Sequence, residues 1–310
     1  MNTLLYFSVV LIWGTTWIAI SLQHGEVAAE ISVFWRFALA SAILLTFLAL
    51  TRRLRPLSSR AHLLCMVQGL CVFGVNFLCF YHAIAWISSG LESIIFSMAV
   101  LFNAFNSRIF FGQPLTRNVA IATPLGLIGI VALFWHDLMQ IDAQPYLLWG
   151  VGLSILGTYC FSLGNMISAQ HQRQGRDILT TNGWGMGYGA LWMGLFSLIQ
   201  GYSFAPDYST SYLGSLFYLA IFGSVIGFGA YFSLIGRIGA SQAAYTTLLF
   251  PLVALSISTL FEDYQWRPNA LIGLLLILAG NAVMFYRPRH PTVQPATPSD
   301  RTTGHGEITR

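Results

Sequence analysis

Residues 31–45 read ISVFWRFALASAILL, an apolar run broken by one guanidinium, that of Arg36. Arginine keeps its charge in proteins, and at the centre of a lipid-embedded helix it costs at least ~2.5 kcal/mol. What such a charge is for depends on the chain around it. The 310 residues are 55% hydrophobic and 8% charged, with a mean hydropathy of +0.66. A soluble globular chain carries about 25% charged residues, so this is the composition of a membrane protein.

Outward from that run the same texture repeats. A span takes about 20 predominantly apolar residues. Ten segments qualify: 3–22, 28–51, 61–85, 89–112, 118–135, 146–169, 180–200, 211–235, 241–261 and 267–286. The breaks carry charge and turn signals, such as TRRLRPLSSR (51–60), HQRQGRD (171–177) and EDYQWRP (262–268). They leave no room for a soluble domain. The first 20 residues, MNTLLYFSVVLIWGTTWIAI, have no basic n-region and no small-residue cleavage site, and read as a retained span. The last 24, from Arg287, hold four of the eleven prolines and read as a disordered cytoplasmic tail, 287–310.

Arginine placement orients the chain. With the N-terminus in the cytoplasm, the inner loops hold eleven arginines: 52, 53, 55, 60, 108, 117, 173, 176, 237, 287 and 289. The outer loops hold one, Arg267, and eight of the eleven acids fall on that outer side. Both termini are therefore expected inside. All fifteen basic residues are arginine, and they form no large patch, so the net charge of +4 is no nucleic-acid signal. Cys65, Cys71, Cys79 and Cys160 all fall in apolar runs, outside any CxxC pair or metal-ligand spacing. No metal and no cofactor is expected.

The chain also repeats itself. LIWGTTWIAI (11–20) is echoed by SILGTYCFSL (154–163), and the stretch around Tyr81 lines up with that around Tyr231. RIFFGQPLT (108–116) then matches STLFEDYQW (258–266), and Gly129 matches Gly280. Two halves, 1–140 and 141–286, would hold five spans each. Five is odd, so the second half enters from the opposite side and is inverted relative to the first. The expected fold is an all-α integral membrane protein of ten transmembrane helices in two inverted five-helix repeats, the architecture of alternating-access transporters.

WGTT in the first helix, WRF early in the second, FFGQPLT after the fourth and FEDYQW after the ninth resemble the drug/metabolite transporter superfamily, EamA branch. The resemblance covers about residues 3–286. It implies a bacterial inner-membrane permease exporting small metabolites, commonly amino acids or related compounds. Many members carry a glutamate where this chain has Gln113, while the ninth-helix end keeps Glu262. The mid-helix proline is kept as Pro251 but replaced by Met98-Ala99-Val100 in the fourth helix, which is therefore expected to be the stiffer of the two.

Polar side chains in spans should face protein or a water-filled cavity. Asn76, Tyr81 and His82 stand out in the third span, Ser93, Ser97 and Asn103 in a stripe on the fourth, and Tyr159 in the sixth. Such a stripe lines a pathway or glues helices together. Trp13 and Trp17 sit mid-helix, away from the interfaces, and with Trp35, Tyr81, Tyr159, Trp184 and Tyr245 they would wall a cavity for flat apolar or cationic solutes. His82 reads as a satisfied helix contact or, in the alternative, as a group that would couple transport to protons with Glu92 as its partner. Gly183/Gly187 and Gly223/Gly227 read as close-packing helix mechanics. Arg36, roughly 7–8 Å into its helix, has three readings: a side chain snorkelling outward, an interior ion pair with Glu30 or Glu92, or a charge holding a substrate carboxylate. The ion pair is the favoured one.

HExxH, GxSxG and Walker A motifs are absent from the sequence, which weighs against a membrane-embedded enzyme. Polarity spread over several spans weighs against a non-transporting subunit. The expected function is export of a small neutral or zwitterionic metabolite, with lipophilic cations as the alternative. The partners are then a small-molecule substrate and the lipid bilayer, no nucleic acid, with a homodimer left open.

Overall fold

The computed structural model describes residues 2–115, 117–135, 139, 146–238, 243, 246–262 and 264–285. Among these there is no strand; helices carry the whole architecture. Six helices are long and apolar enough to cross a membrane: α1 (Asn2–Ser21), α2 (Ala29–Leu50), α3 (Ser59–Ala83), α4 (Ser89–Phe111), α6 (Leu147–Arg173) and α8 (Thr210–Arg237). Between them lie α5 (Arg117–Leu133), the glycine-rich α7 (Ile178–Gln200), α9 (Thr246–Phe261) and α10 (Pro268–Phe285). These helices fall on the apolar segments expected from the sequence. The expected tail at 287–310 lies outside the described residues.

Local chemistry sets the helix ends. Ser58, Asp177 and Ser209 each turn a side-chain oxygen onto a backbone N–H of the first turn of α3, α7 and α8, which satisfies one of the orphan donors there. Gly112 and Gly201 close α4 and α7 in the left-handed region, at φ +67° and +70°, where a Cβ would be strained.

Packing follows a pattern that survives exchanging each helix for the one five places away. α2 packs on α7, α5 on α10 and α4 on α9. The α1–α9 contact is matched by α6–α4, and the α3–α6 contact by α8–α1. α3 and α8 also share an irregularity, a π-helical segment at Gly69–Val75 in one and Leu219–Ile226 in the other. In α5 and α10 the backbones nearly touch. A Cβ on Gly129 would lie 2.9 Å from the Gly273 carbonyl, and one on Gly273 would lie 2.6 Å from the Gly129 carbonyl. Outward faces remain apolar, with Phe7, Leu11, Ile121, Ile128, Leu198 and Leu275 all exposed, as a lipid environment requires.

The stiffness expected of α4 is not found. This helix breaks between Phe96 and Ala99, although it has no proline there. Ser97 turns its hydroxyl back to the Ile94 carbonyl at 2.7 Å, and Asn281 of α10 donates to the same hydroxyl at 3.1 Å. A serine competing for backbone carbonyls bends a helix, and here a second helix holds the bend. α9 continues through Pro251.

Candidate functional site

One face of α1 presents Trp13, Thr16, Trp17 and Ile20 at spacings of three, four and seven residues, a single helical stripe. Across from it, α3 supplies Asn76, Phe77 and Phe80, α4 supplies Phe96, α6 Phe161, α8 Phe228 and α9 Phe250. With Arg36 of α2 these line a narrow cavity of about 30 Å³, room for roughly two waters. The rings meet at angles, Phe96 with Phe161 at 4.7 Å between centroids, Trp13 with Phe228 at 5.1 Å and Trp17 with Phe80 at 5.2 Å. Edge-to-face and tilted contacts of this kind hold the wall rigid.

Arg36 is the one formal charge among the residues lining this cavity. It sits seven residues beyond Ala29, about 10 Å along the helix, and is 1% exposed. Snorkelling is therefore ruled out. The favoured ion pair is absent too: among the described residues no carboxylate meets it, and the pair that does form is His82 with Glu30, at 3.2 Å. Arg36 is held instead by Nε donating to Ser224 Oγ at 3.1 Å, by a hydrogen bond to the Tyr81 hydroxyl, and by the Phe77 and Phe37 rings, 4.2 and 5.1 Å from the guanidinium carbon. Ser224 belongs to the π-helical segment of α8, whose neighbouring Gly223 carbonyl accepts from Trp13 Nε1 at 3.3 Å. Segments of this kind recur at functional sites. Arg36 Nη1 has no partner, and neither does either amide atom of Asn76. Both residues are 1% exposed.

Of the sequence candidates, Trp13, Trp17, Arg36 and Asn76 line the cavity. Tyr81 lies just beyond, beside the guanidinium, donating to Gln23 Oε1 at 2.7 Å. The others belong elsewhere. His82 is 48% exposed near the end of α3, with Glu30 as its partner and not Glu92; Glu92 instead accepts from Ser154 at 3.4 Å. Ser97 shapes the α4 break, and Asn103 accepts from Asn165 at 3.3 Å, next to Tyr231. Tyr159 packs on Phe102 and Trp184 on His62, neither along the cavity lining. Tyr245 lies outside the described residues. Sequence reasoning missed the phenylalanines, because Phe in a span is lipid-facing bulk by default. Their one signal was helical spacing, as in Phe73, Phe77 and Phe80.

An apolar helical chain folded around a small, mostly aromatic cavity with one fixed charge is built as a multi-pass membrane protein. The comparisons place it more closely. The profile of the EamA-like transporter family matches residues 2–135 and again 148–286, and the chain belongs to that family, one of transporters and not of enzymes. It is 25% identical to the uncharacterized inner membrane transporter YedA of Escherichia coli K12, over 93% of both chains. It is 22% identical to the uncharacterized transporter YoaV of Bacillus subtilis, over 88% of this chain and 92% of that one. Protein PagO of Salmonella typhimurium is 23% identical over 90% of each. A solved crystal structure superposes with a TM-score of 0.65 at 18% identity, covering 92% of this chain and 96% of that one, which bears on the fold alone.

Proposed function

We propose that the chain is an inner-membrane secondary transporter exporting a small metabolite, of the size of an amino acid or related compound. It works by alternating access, with ten spans in two inverted five-helix repeats and both termini in the cytoplasm. The observation that carries the reading is the cavity at the meeting of α1, α2, α3, α4, α6, α8 and α9, which draws its wall from both halves. Three observations support the repeat: the helix-exchange pattern of contacts, the paired π-helical segments of α3 and α8, and the double match to the family profile. Substrate sites at the interface of such repeats are the rule for secondary transporters. The sequence holds no Walker A motif, so the driving force is a gradient. A fixed cation in the wall disfavours lipophilic cations as cargo.

The test is counterflow in proteoliposomes, with the purified chain offered a panel of labelled small metabolites and one lipophilic cation. Saturable uptake of a metabolite, competed by its unlabelled form, supports the reading. A folded protein that moves nothing on the panel overturns it.

A further inference from the structure

The cavity's one charge is uncompensated. A buried guanidinium ordinarily takes a carboxylate or several acceptors, because an unpaired charge in a low-dielectric site is costly. Here neither of the two acids the sequence offered reaches it: Glu30 meets His82, and Glu92 meets Ser154 through one oxygen while its other stays unpartnered. Arg36 and Asn76 both line the cavity, and the buried donors Arg36 Nη1 and Asn76 Nδ2 both lack partners. Two unfilled donors, one of them charged, match the two oxygens of a carboxylate. The remaining wall is aromatic, with Trp17 and Phe250 nearly parallel at 20° and 6.3 Å apart. Flat faces set at fixed angles suit a planar unsaturated body. The lining contains no acid that would receive an ammonium group.

Resting on the transport reading for its biological role, we propose that this cavity, about 30 Å³ in the conformation described and widened as the helices rock, binds a small monocarboxylate with a planar unsaturated body. Arg36 and Asn76 hold the carboxylate and the ring of aromatic side chains holds the body. The amino group of an amino acid finds no counter-charge there, so the site prefers the simple acid over its amino-acid analogue. Arg36 is itself positioned by Ser224, which ties the donor's aim to the π-helical segment of α8. A solute carboxylate then takes the place an internal acid would fill in a structural pair, and the buried charge is compensated only when the site is loaded.

The experiment is equilibrium binding to the purified full chain in lipid nanodiscs, by calorimetry and by quenching of tryptophan fluorescence. The probes are phenylacetate, 2-phenylethanol, phenethylamine, L-phenylglycine and cyclohexylacetate, near-isosteres that vary charge, the amino group and planarity. Phenylacetate is expected to bind at least about tenfold tighter than 2-phenylethanol, the discrimination expected of a charge-assisted hydrogen bond, and tighter than each of the others. Equal or stronger binding of the amine, the alcohol, the saturated acid or the amino acid overturns the assignment. In Arg36→Gln the acid and the alcohol are expected to bind within about threefold of each other; an undiminished preference in that variant also overturns it. If that variant does not fold, the wild-type series decides alone. Phenylacetate binding without counterflow of any solute upholds the site and removes the transport reading. Saturable counterflow that phenylacetate fails to inhibit upholds transport and overturns the site.

Discussion

The acid retained at the end of α9 offers the most direct test of how the two halves are joined. Glu262 Oε2 accepts from Ser89 N at 3.1 Å, from Ser89 Oγ at 2.8 Å and from Ser258 Oγ at 2.6 Å. Ser89 opens α4, so its N–H is one of the donors a helix start leaves without an intrahelical partner, and the carboxylate also meets the positive end of that helix. Hydrogen bonds to a charged group contribute about 1.5–3 kcal/mol each. Ser89 and Ser258 are both fully buried, whereas Glu262 is only partly so, and water would replace some of what is lost. Glu262→Ala is therefore expected to destabilise the fold by about 2–4 kcal/mol, or roughly 4–8 °C in melting temperature for a chain of this size. Glu262→Gln, which keeps an acceptor but not the charge, should lose about half of that. Thermal unfolding in nanodiscs, run as a double-mutant cycle with Ser89→Ala, isolates the shared bonds, and a coupling of about 1–2 kcal/mol is expected. Additive effects, or an alanine variant melting within about a degree of wild type, would show that the tie between α4 and α9 is not stabilising.

Four further outcomes follow from the packing and the charges. Gly273→Ala places a Cβ against the Leu133 amide and the Gly129 carbonyl, neither of which can move aside as a side chain would, whereas Gly229→Ala meets only Leu179 Cδ2 at 3.5 Å. The first should lower the melting temperature by the equivalent of about 1–3 kcal/mol and the second by little; the same scan compares them. Gly227→Ala puts a Cβ 2.6 Å from Trp13 Nε1, pushing the indole off its bond to the Gly223 carbonyl, so counterflow should fall while Gly229→Ala retains it. Membrane-impermeant maleimide should label Arg267→Cys in intact cells and Arg53→Cys only after permeabilisation; the reverse pattern would invert the proposed topology. At the edge of α8, Ser209 holds the exposed Asp207 carboxyl below its ordinary 3.8 through bonds at 2.8 and 2.7 Å. That contribution is fully present above pH 3.8 and is lost as pH falls through the lowered value, so the Asp207 carboxyl, followed by NMR, should titrate below 3.8 and move back towards it in Ser209→Ala.

The helices were legible because hydropathy is summed over some 20 residues and survives local error. The site was legible only where a residue type was out of place in lipid. Trp13, Trp17 and Asn76 stood out for that reason. Tyr159, Trp184 and His82 stood out equally and sit elsewhere, since composition does not say which way a helix face turns. The α4 break shows the opposite failure. A missing proline suggested rigidity, yet Ser97 and Asn281, 184 residues apart, make the bend between them, and no window along the sequence brings such a pair together.

Arg36 marks the boundary between the two kinds of reading. The sequence announced a charge that must be answered, because an unprotected guanidinium in a span carries a cost no helix propensity offsets. It offered Glu30 and Glu92 as answers because they are acids on the same side of the membrane. Which of them, if either, reaches the guanidinium is a question of rotation about helix axes, and the fold turns both away: Glu30 to His82, Glu92 to Ser154. What remains is a cation held by the Ser224 and Tyr81 hydroxyls and the Phe37 and Phe77 rings, with Nη1 unpartnered. None of these partners carries a charge to offset that of the guanidinium. A stability role would have kept the acid, so the charge is better explained by something that comes and goes.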